Sequence, residues 1–180
     1  MKLGNTQTQY GLVTILLHWI IAILVIGLFA LGLYMTDLTY YDPWYRKGPD
    51  LHRSLGIIVA LLLLLRIIWR WATPQPQPLD THKVWEIRLA SLMHKALYLL
   101  LIAIVISGYL ISTADGRSVK VFNWFEVPAL ITRVDNLEDY AGDIHWTLAI
   151  TTIILVVFHA LAALKHQFIS KDGTLSRMLP

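Results

Sequence analysis

The sequence contains no cysteine. Disulfides, iron–sulfur clusters, thiolate metal sites and covalent haem attachment through a C-x-x-C-H motif are therefore excluded. Charge is scarce too: Asp, Glu, Lys and Arg make up 15% of the chain, against about a quarter in a soluble domain. The formal net charge of +3 is small and unevenly placed, and gives no sign of a nucleic-acid surface. There is no internal repeat and no low-complexity segment. The 180 residues suffice for a single domain.

What the chain has in place of charge is apolar length, with 56% hydrophobic residues. Four runs are long enough to cross a bilayer as helices, at approximately 12–35, 51–71, 92–114 and 144–164. The first run is too long for a signal-peptide core and lacks a small-residue cleavage site, so it is expected to stay as a span. The loop 36–50 carries Tyr40, Tyr41, Trp44 and Tyr45, an interfacial aromatic set. Pro74, Pro76 and Pro78 separate the second and third spans, because they cannot continue a helix. A short amphipathic stretch at 83–90 leads into the third span. The connection 115–143 is the longest, and its Val121-Phe-Asn-Trp-Phe125 segment suits either a membrane interface or a mobile loop.

Four spans put both termini on one side. Arg66, Arg70, Lys83, Arg88 and Lys95, together with Lys2, Lys165, Lys171 and Arg177, outweigh the acids on that side. The other two loops are net acidic. The excess of basic residues predicts cytoplasmic termini and a multi-pass protein of the bacterial inner membrane.

Ionisable residues inside a span suggest function, and there are seven histidines. His145 and His159 lie fourteen residues apart in the last span. Fourteen helical steps return a side chain to within about 40° of its first direction, roughly 21 Å along the axis. One helix thus offers an imidazole near each membrane face. By depth, His52 is level with His145. His18 is level with His159, each about 9 Å inside its helix end. Two imidazole pairs at two depths form a sensible axial set for two haem irons. Gly32 and Gly108, fourteen residues after His18 and His94, leave room where a macrocycle approaches the backbone. Arg66, fourteen after His52, and Arg53 are candidates to pair with haem propionates. His94 is the alternative partner for His159. Together with His166 and Arg70 it is otherwise a candidate for binding quinone or relaying protons. His166 lies seven residues beyond His159 on the same helical stripe. His82, after the prolines, is expected to be a solvated loop residue.

The layout resembles the bacterial cytochrome b561 family, four-helix di-haem membrane proteins related to the cytochrome b subunits of hydrogenases and formate dehydrogenases. The resemblance rests on Tyr10…Leu17-His18-Trp19, Leu51-His52-Arg53-Ser-Leu-Gly56, Leu65-Arg66, His94-Lys-Ala-Leu-Tyr98, Gly142-Asp-Ile-His145 and Phe158-His159-Ala. The ending Lys171-Asp172-Gly-Thr174-Leu-Ser-Arg177-Met178 is also similar. It implies an all-α integral membrane four-helix bundle with two b-type haems between helices. His18 and His159 would hold the cytoplasmic-side iron, and His52 and His145 the periplasmic-side iron. It further implies electron exchange with ubiquinone, with superoxide as one possible periplasmic donor. The acidic long loop argues against steering of superoxide, unless Arg53, Arg117, Lys120 and Arg133 form a local basic funnel.

The expectation is a monomeric or weakly dimeric cytochrome among membrane lipid, passing electrons from a periplasmic donor to quinone. As an enzyme it would be a superoxide:ubiquinone oxidoreductase; otherwise it is an electron carrier. Two rivals remain: an electron-relay anchor for a separate periplasmic dehydrogenase, and a histidine-based metal or proton transporter without haem.

Overall fold

The computed structural model describes residues 2–131 and 134–179. Its frame is four helices: α1 (Leu12–Thr36), α2 (Lys47–Ala72), α3 (Val84–Thr113) and α4 (Leu137–Leu164). Each is long and apolar enough to cross a membrane, with mean hydropathies between 2.1 and 2.7 over their most apolar windows. Many large apolar side chains face outward, Ile23 at 67% and Leu99 at 68% exposure among them. Such a surface suits lipid as its solvent. The helices pack in the order α1 on α2, α2 on α3 and α3 on α4, with α4 also touching α1.

Three helices start earlier than their apolar runs. α2 includes Pro49 and Asp50 in its first turn. A missing N–H costs nothing there, and a carboxylate there favours the helix dipole. The amphipathic stretch at 84–90 is the opening of α3, where Glu86 accepts the Lys83 N–H at 3.0 Å. α4 opens with Glu138 and Asp139, acids suited to a first turn. The apolar runs mark what can enter lipid, while the helices extend past them into water.

Both termini and the α2–α3 connection meet at one end, here the terminal end. The N-terminal segment folds back so that Lys2 and Leu3 carbonyls accept the otherwise free N–H groups of Leu12 and Val13, at 3.0 and 3.3 Å. Asn5 is buried, accepting from Gly11 N (2.8 Å) and Thr14 Oγ1 (2.7 Å) while donating to Thr73 (3.2 Å). Arg177 of the tail donates to the Thr8 carbonyl at 2.9 Å and the Gln77 carbonyl at 3.1 Å. Trp19 Nε1 donates to the Met178 carbonyl at 2.6 Å.

At the opposite end, part of the long connection forms an antiparallel hairpin, β1 (Val119–Val121) and β2 (Phe125–Val127). The sequence reading did not foresee it, because three-residue strands carry too little alternation. Val119 and Val121 are buried. Ser54 Oγ on α2 donates to the Lys120 carbonyl and accepts the Phe122 N–H, both at 3.3 Å. Tyr109 Oη donates to the Pro128 carbonyl at 2.6 Å and accepts the Leu130 N–H at 2.8 Å. Phe122 and Asn123 turn the hairpin with φ of 47° and 59°, a region Asn tolerates and an aromatic residue rarely adopts.

Candidate cofactor-binding site

Four histidines from three helices meet in two pairs inside the bundle. His18 on α1 and His159 on α4 face each other with ring centres 6.2 Å apart and planes at 71°. His52 on α2 and His145 on α4 do the same at 6.2 Å and 70°. The fourteen-residue spacing keeps His145 and His159 on one face of α4. His94 on α3 also reaches His159, with ring centres 5.3 Å apart, so His159 has an imidazole on each of two neighbouring helices.

The surroundings of the pairs differ. His145 Nδ1 lies 3.0 Å from the Ile104 carbonyl oxygen and 3.0 Å from Ser107 Oγ. A carbonyl only accepts, so Nδ1 carries the proton and Nε2 presents its lone pair. His52 Nδ1 is buried and has no hydrogen-bond partner among the described residues. Arg66 reaches into the other pair, its Nη1 3.1 Å from His18 Nδ1 and its Nε donating to Tyr98 Oη at 2.9 Å. A guanidinium has only donors, so His18 Nδ1 accepts in this arrangement.

The two glycines serve a tighter purpose than expected. A Cβ on Gly32 would meet His52 Cε1 at 3.5 Å, and one on Gly108 would meet His145 Cε1 at 3.0 Å. What approaches the backbone at each is the imidazole ring itself.

Other expected residues lie elsewhere. Arg53 pairs with Asp50, Arg117 pairs with Asp115, and Lys120 lies 3.8 Å from Glu126. Each of these three cations has a neighbouring carboxylate, and Arg53 and Arg117 both lie near Asp115. The fourth, Arg133, lies outside the described residues. Arg70 donates to Gln75 at 2.9 Å. His166 is not continuous with the His159 stripe, because α4 passes into a π-helical turn, Lys165–Ser170, whose i→i+5 bonding puts more residues in each turn and shifts the helical phase. His166 instead meets Asp172 and His82. His82 is therefore no solvated loop residue: its side chain is 16% exposed and bonds Asp172 and Thr174. His94, His166 and Arg70 thus have separate partners.

Sequence reasoning missed Ser107 and the Ile104 carbonyl, and gave no role to Tyr98 although it stands in the His94-to-Tyr98 motif. Ser107 had a readable signal, a hydroxyl beside Gly108 in an apolar span. A backbone carbonyl has none.

Fold and residues together define a class, a membrane four-helix bundle that holds buried imidazole pairs between its helices. Residues 9–180 match the family model described as prokaryotic cytochrome b561. The chain is 49% identical to "Cytochrome b561 homolog 2" of Escherichia coli (strain K12), over 99% of this chain and 95% of the relative. It is 30% identical to "Cytochrome b561 homolog 1" of the same organism, over 97% and 98%. With "Probable superoxide oxidase CybB" of Yersinia pestis it shares 32% over 96% of each chain. The chain belongs to the prokaryotic cytochrome b561 family, and so to the membrane cytochromes that carry b-type haem.

Proposed function

We propose that this cytochrome holds two haems, one between His18 and His159 and one between His52 and His145, and passes electrons between a periplasmic donor and ubiquinone. The observation that carries the reading is the repeated 6.2 Å separation of the paired rings. Two imidazoles that would share one metal, each bonding it at about 2 Å, would hold their ring centres at most roughly 6 Å apart. His94 and His159 stand closer, at 5.3 Å, which favours His18 as the second ligand. The partnerless Nδ1 of His52 and the lone pair left on His145 Nε2 fit the same donor set.

When bound, haem supplies a one-electron couple. The residues around it supply orientation and charge. Ile104 and Ser107 fix the His145 tautomer and raise its basicity. If His18 held the iron through Nε2, its Nδ1 would carry the proton and would no longer accept from Arg66. The Arg66 guanidinium then suits a propionate carboxylate. Arg53 suits the propionate of the other haem, at the cost of its pairing with Asp50. Gly108 gives the His145 ring its close position, while Gly32 leaves the His52 ring in ordinary contact.

On this reading the excess of basic residues favours a cytoplasmic terminal end and a periplasmic hairpin end in a bacterial inner membrane. Quinone contact falls to His94 and Arg70 at the cytoplasmic side. His166 is already engaged by Asp172. Superoxide is the donor suggested by the likeness to the probable superoxide oxidase of Yersinia pestis. A second reading, relay for a docked dehydrogenase, is favoured by Trp124 and Leu130, 74% and 79% exposed at the hairpin end.

Anaerobic ubiquinone reduction by the purified protein separates them. Superoxide and a chemical reductant are supplied in turn. Reduction with both supports the oxidase, and reduction with the chemical reductant alone supports the relay. Failure with both refutes the quinone assignment.

A further inference from the structure

A second polar cluster lies outside the paired histidines, at the terminal end. His82 comes from the proline-rich connection, His166 from the π-helical turn and Asp172 from the tail. Their nearest ligand atoms all lie within 4.8 Å of one another. Asp172 is 3% exposed at its side chain, and the two imidazoles are 16% and 15% exposed.

The carboxylate is divided between two tasks. Its Oδ1 accepts the Thr174 N–H at 3.0 Å and the Thr174 hydroxyl at 2.6 Å. Its Oδ2 faces both rings, 2.5 Å from His166 Nδ1 and 3.2 Å from His82 Nε2. Burial alone would raise the Asp172 carboxyl, but the hydrogen bonds from Thr174 and His166 outweigh it and hold the group well below its usual range. Behind His166 stands another carboxylate: Glu86 Oε1 is 3.9 Å from His166 Nε2 and is held by Lys165 at 3.0 Å. A carboxylate behind a histidine is the usual outer support of a ligating imidazole. The tail turn that delivers Asp172 is built from Lys171 at φ 56° and Gly173 at φ 75°.

We propose that His82 Nε2, His166 Nδ1 and Asp172 Oδ2 form a binding site for a divalent transition-metal ion of the zinc class. Two imidazoles and one carboxylate are borderline ligands that suit zinc, with water in the fourth position. Magnesium and calcium need more oxygen ligands than this cluster offers. A tetrahedral ion with bonds of about 2.0–2.1 Å sets neighbouring ligand atoms roughly 3.3 Å apart. The His82–Asp172 separation of 3.2 Å already matches this, and the His166–Asp172 contact opens from 2.5 Å as its shared proton leaves. The ion would then tie together the connection, the end of α4 and the tail. None of its ligands belongs to the haem pairs, so the site stands whether or not the electron-carrying reading does.

The test is equilibrium dialysis of detergent-purified, chelator-treated holoprotein against zinc chloride, with zinc counted per chain by mass spectrometry. One zinc per chain is expected. His82→Ala and Asp172→Asn should each weaken it by more than about tenfold, since even outer-support changes cost 10–100-fold. His82→Ala should leave the haem spectrum unchanged, and X-ray absorption at the zinc edge should show two imidazoles with oxygen ligands. Should Asp172→Asn misfold the tail, His82→Ala still decides the matter. No zinc retained by the wild type, or equal retention by His82→Ala, would overturn the proposal and leave a hydrogen-bonded clasp.

Discussion

Replacing Gly108 with alanine places a methyl carbon 3.0 Å from His145 Cε1 and 3.3 Å from its Nδ1. Carbon atoms rest comfortably at about 3.5–4.0 Å, so the ring must retreat by roughly half an ångström. It is not free to do so, because Nδ1 is held at 3.0 Å by both Ile104 O and Ser107 Oγ. Metal–ligand distances tolerate only about ±0.2 Å, so on the proposed ligation the displacement would fall on the bond from His145 to the iron. Overpacking of this kind costs about 1–3 kcal/mol, equivalent to roughly 5- to 150-fold weaker retention of one haem. Gly32→Ala is the control: its methyl would sit 3.5 Å from His52 Cε1, an ordinary contact, and should change retention by less than about 0.5 kcal/mol. The assay is haem transfer to excess apomyoglobin, followed by haem counting. Gly108→Ala should lose one haem faster than wild type while Gly32→Ala does not. Equal behaviour of the two variants, or a worse result for Gly32→Ala, would refute the packing argument.

Three further outcomes follow from the same geometry. Ser107→Ala removes one hydrogen-bond partner of His145 but leaves Ile104. A bond worth about 1 kcal/mol should raise the potential of that haem by at most ~40 mV in a redox titration. Arg66→Met takes a positive charge from beside His18, which favours the oxidised form, so the potential of the other haem should fall; Tyr98→Phe should shift it less. Ser54→Ala removes the hydroxyl that bridges Lys120 O and Phe122 N. It should cost about 1–3 kcal/mol locally and speed hydrogen exchange across 119–127 without altering the haem spectrum.

Much of the frame was legible because the bilayer forces it. Charge-free runs of spanning length must be helices, as backbone groups in lipid have no other partners. Fourteen-residue spacing is a property of the helix itself, so His145 and His159 on one face, and the levels of His18 and His52, could be counted. Helix ends could not, because Lys47, Val84 and Leu137 start helices in polar sequence that hydropathy does not register. The hairpin escaped for a different reason: three-residue strands carry too little alternation, and the burial of Val119 and Val121 against α2 is a tertiary contact. His82 looked like a loop residue because nothing local shows that Asp172, far along the chain, folds back onto it. The π-helical turn at Lys165–Ser170 broke the extrapolation from His159 to His166, since counting by sevens assumes unbroken α-helix.

The central claim is that two imidazole pairs hold two haems. Haem per chain in the purified protein, by pyridine haemochrome with a reduced-minus-oxidised spectrum, tests it most directly. The expected count is two b-type haems in the wild type. His52→Ala and His145→Ala should each remove the same one, and His18→Ala and His159→Ala the other. A wild-type count of one or none, or a His94→Ala variant that loses a haem while His18→Ala keeps both, would contradict it.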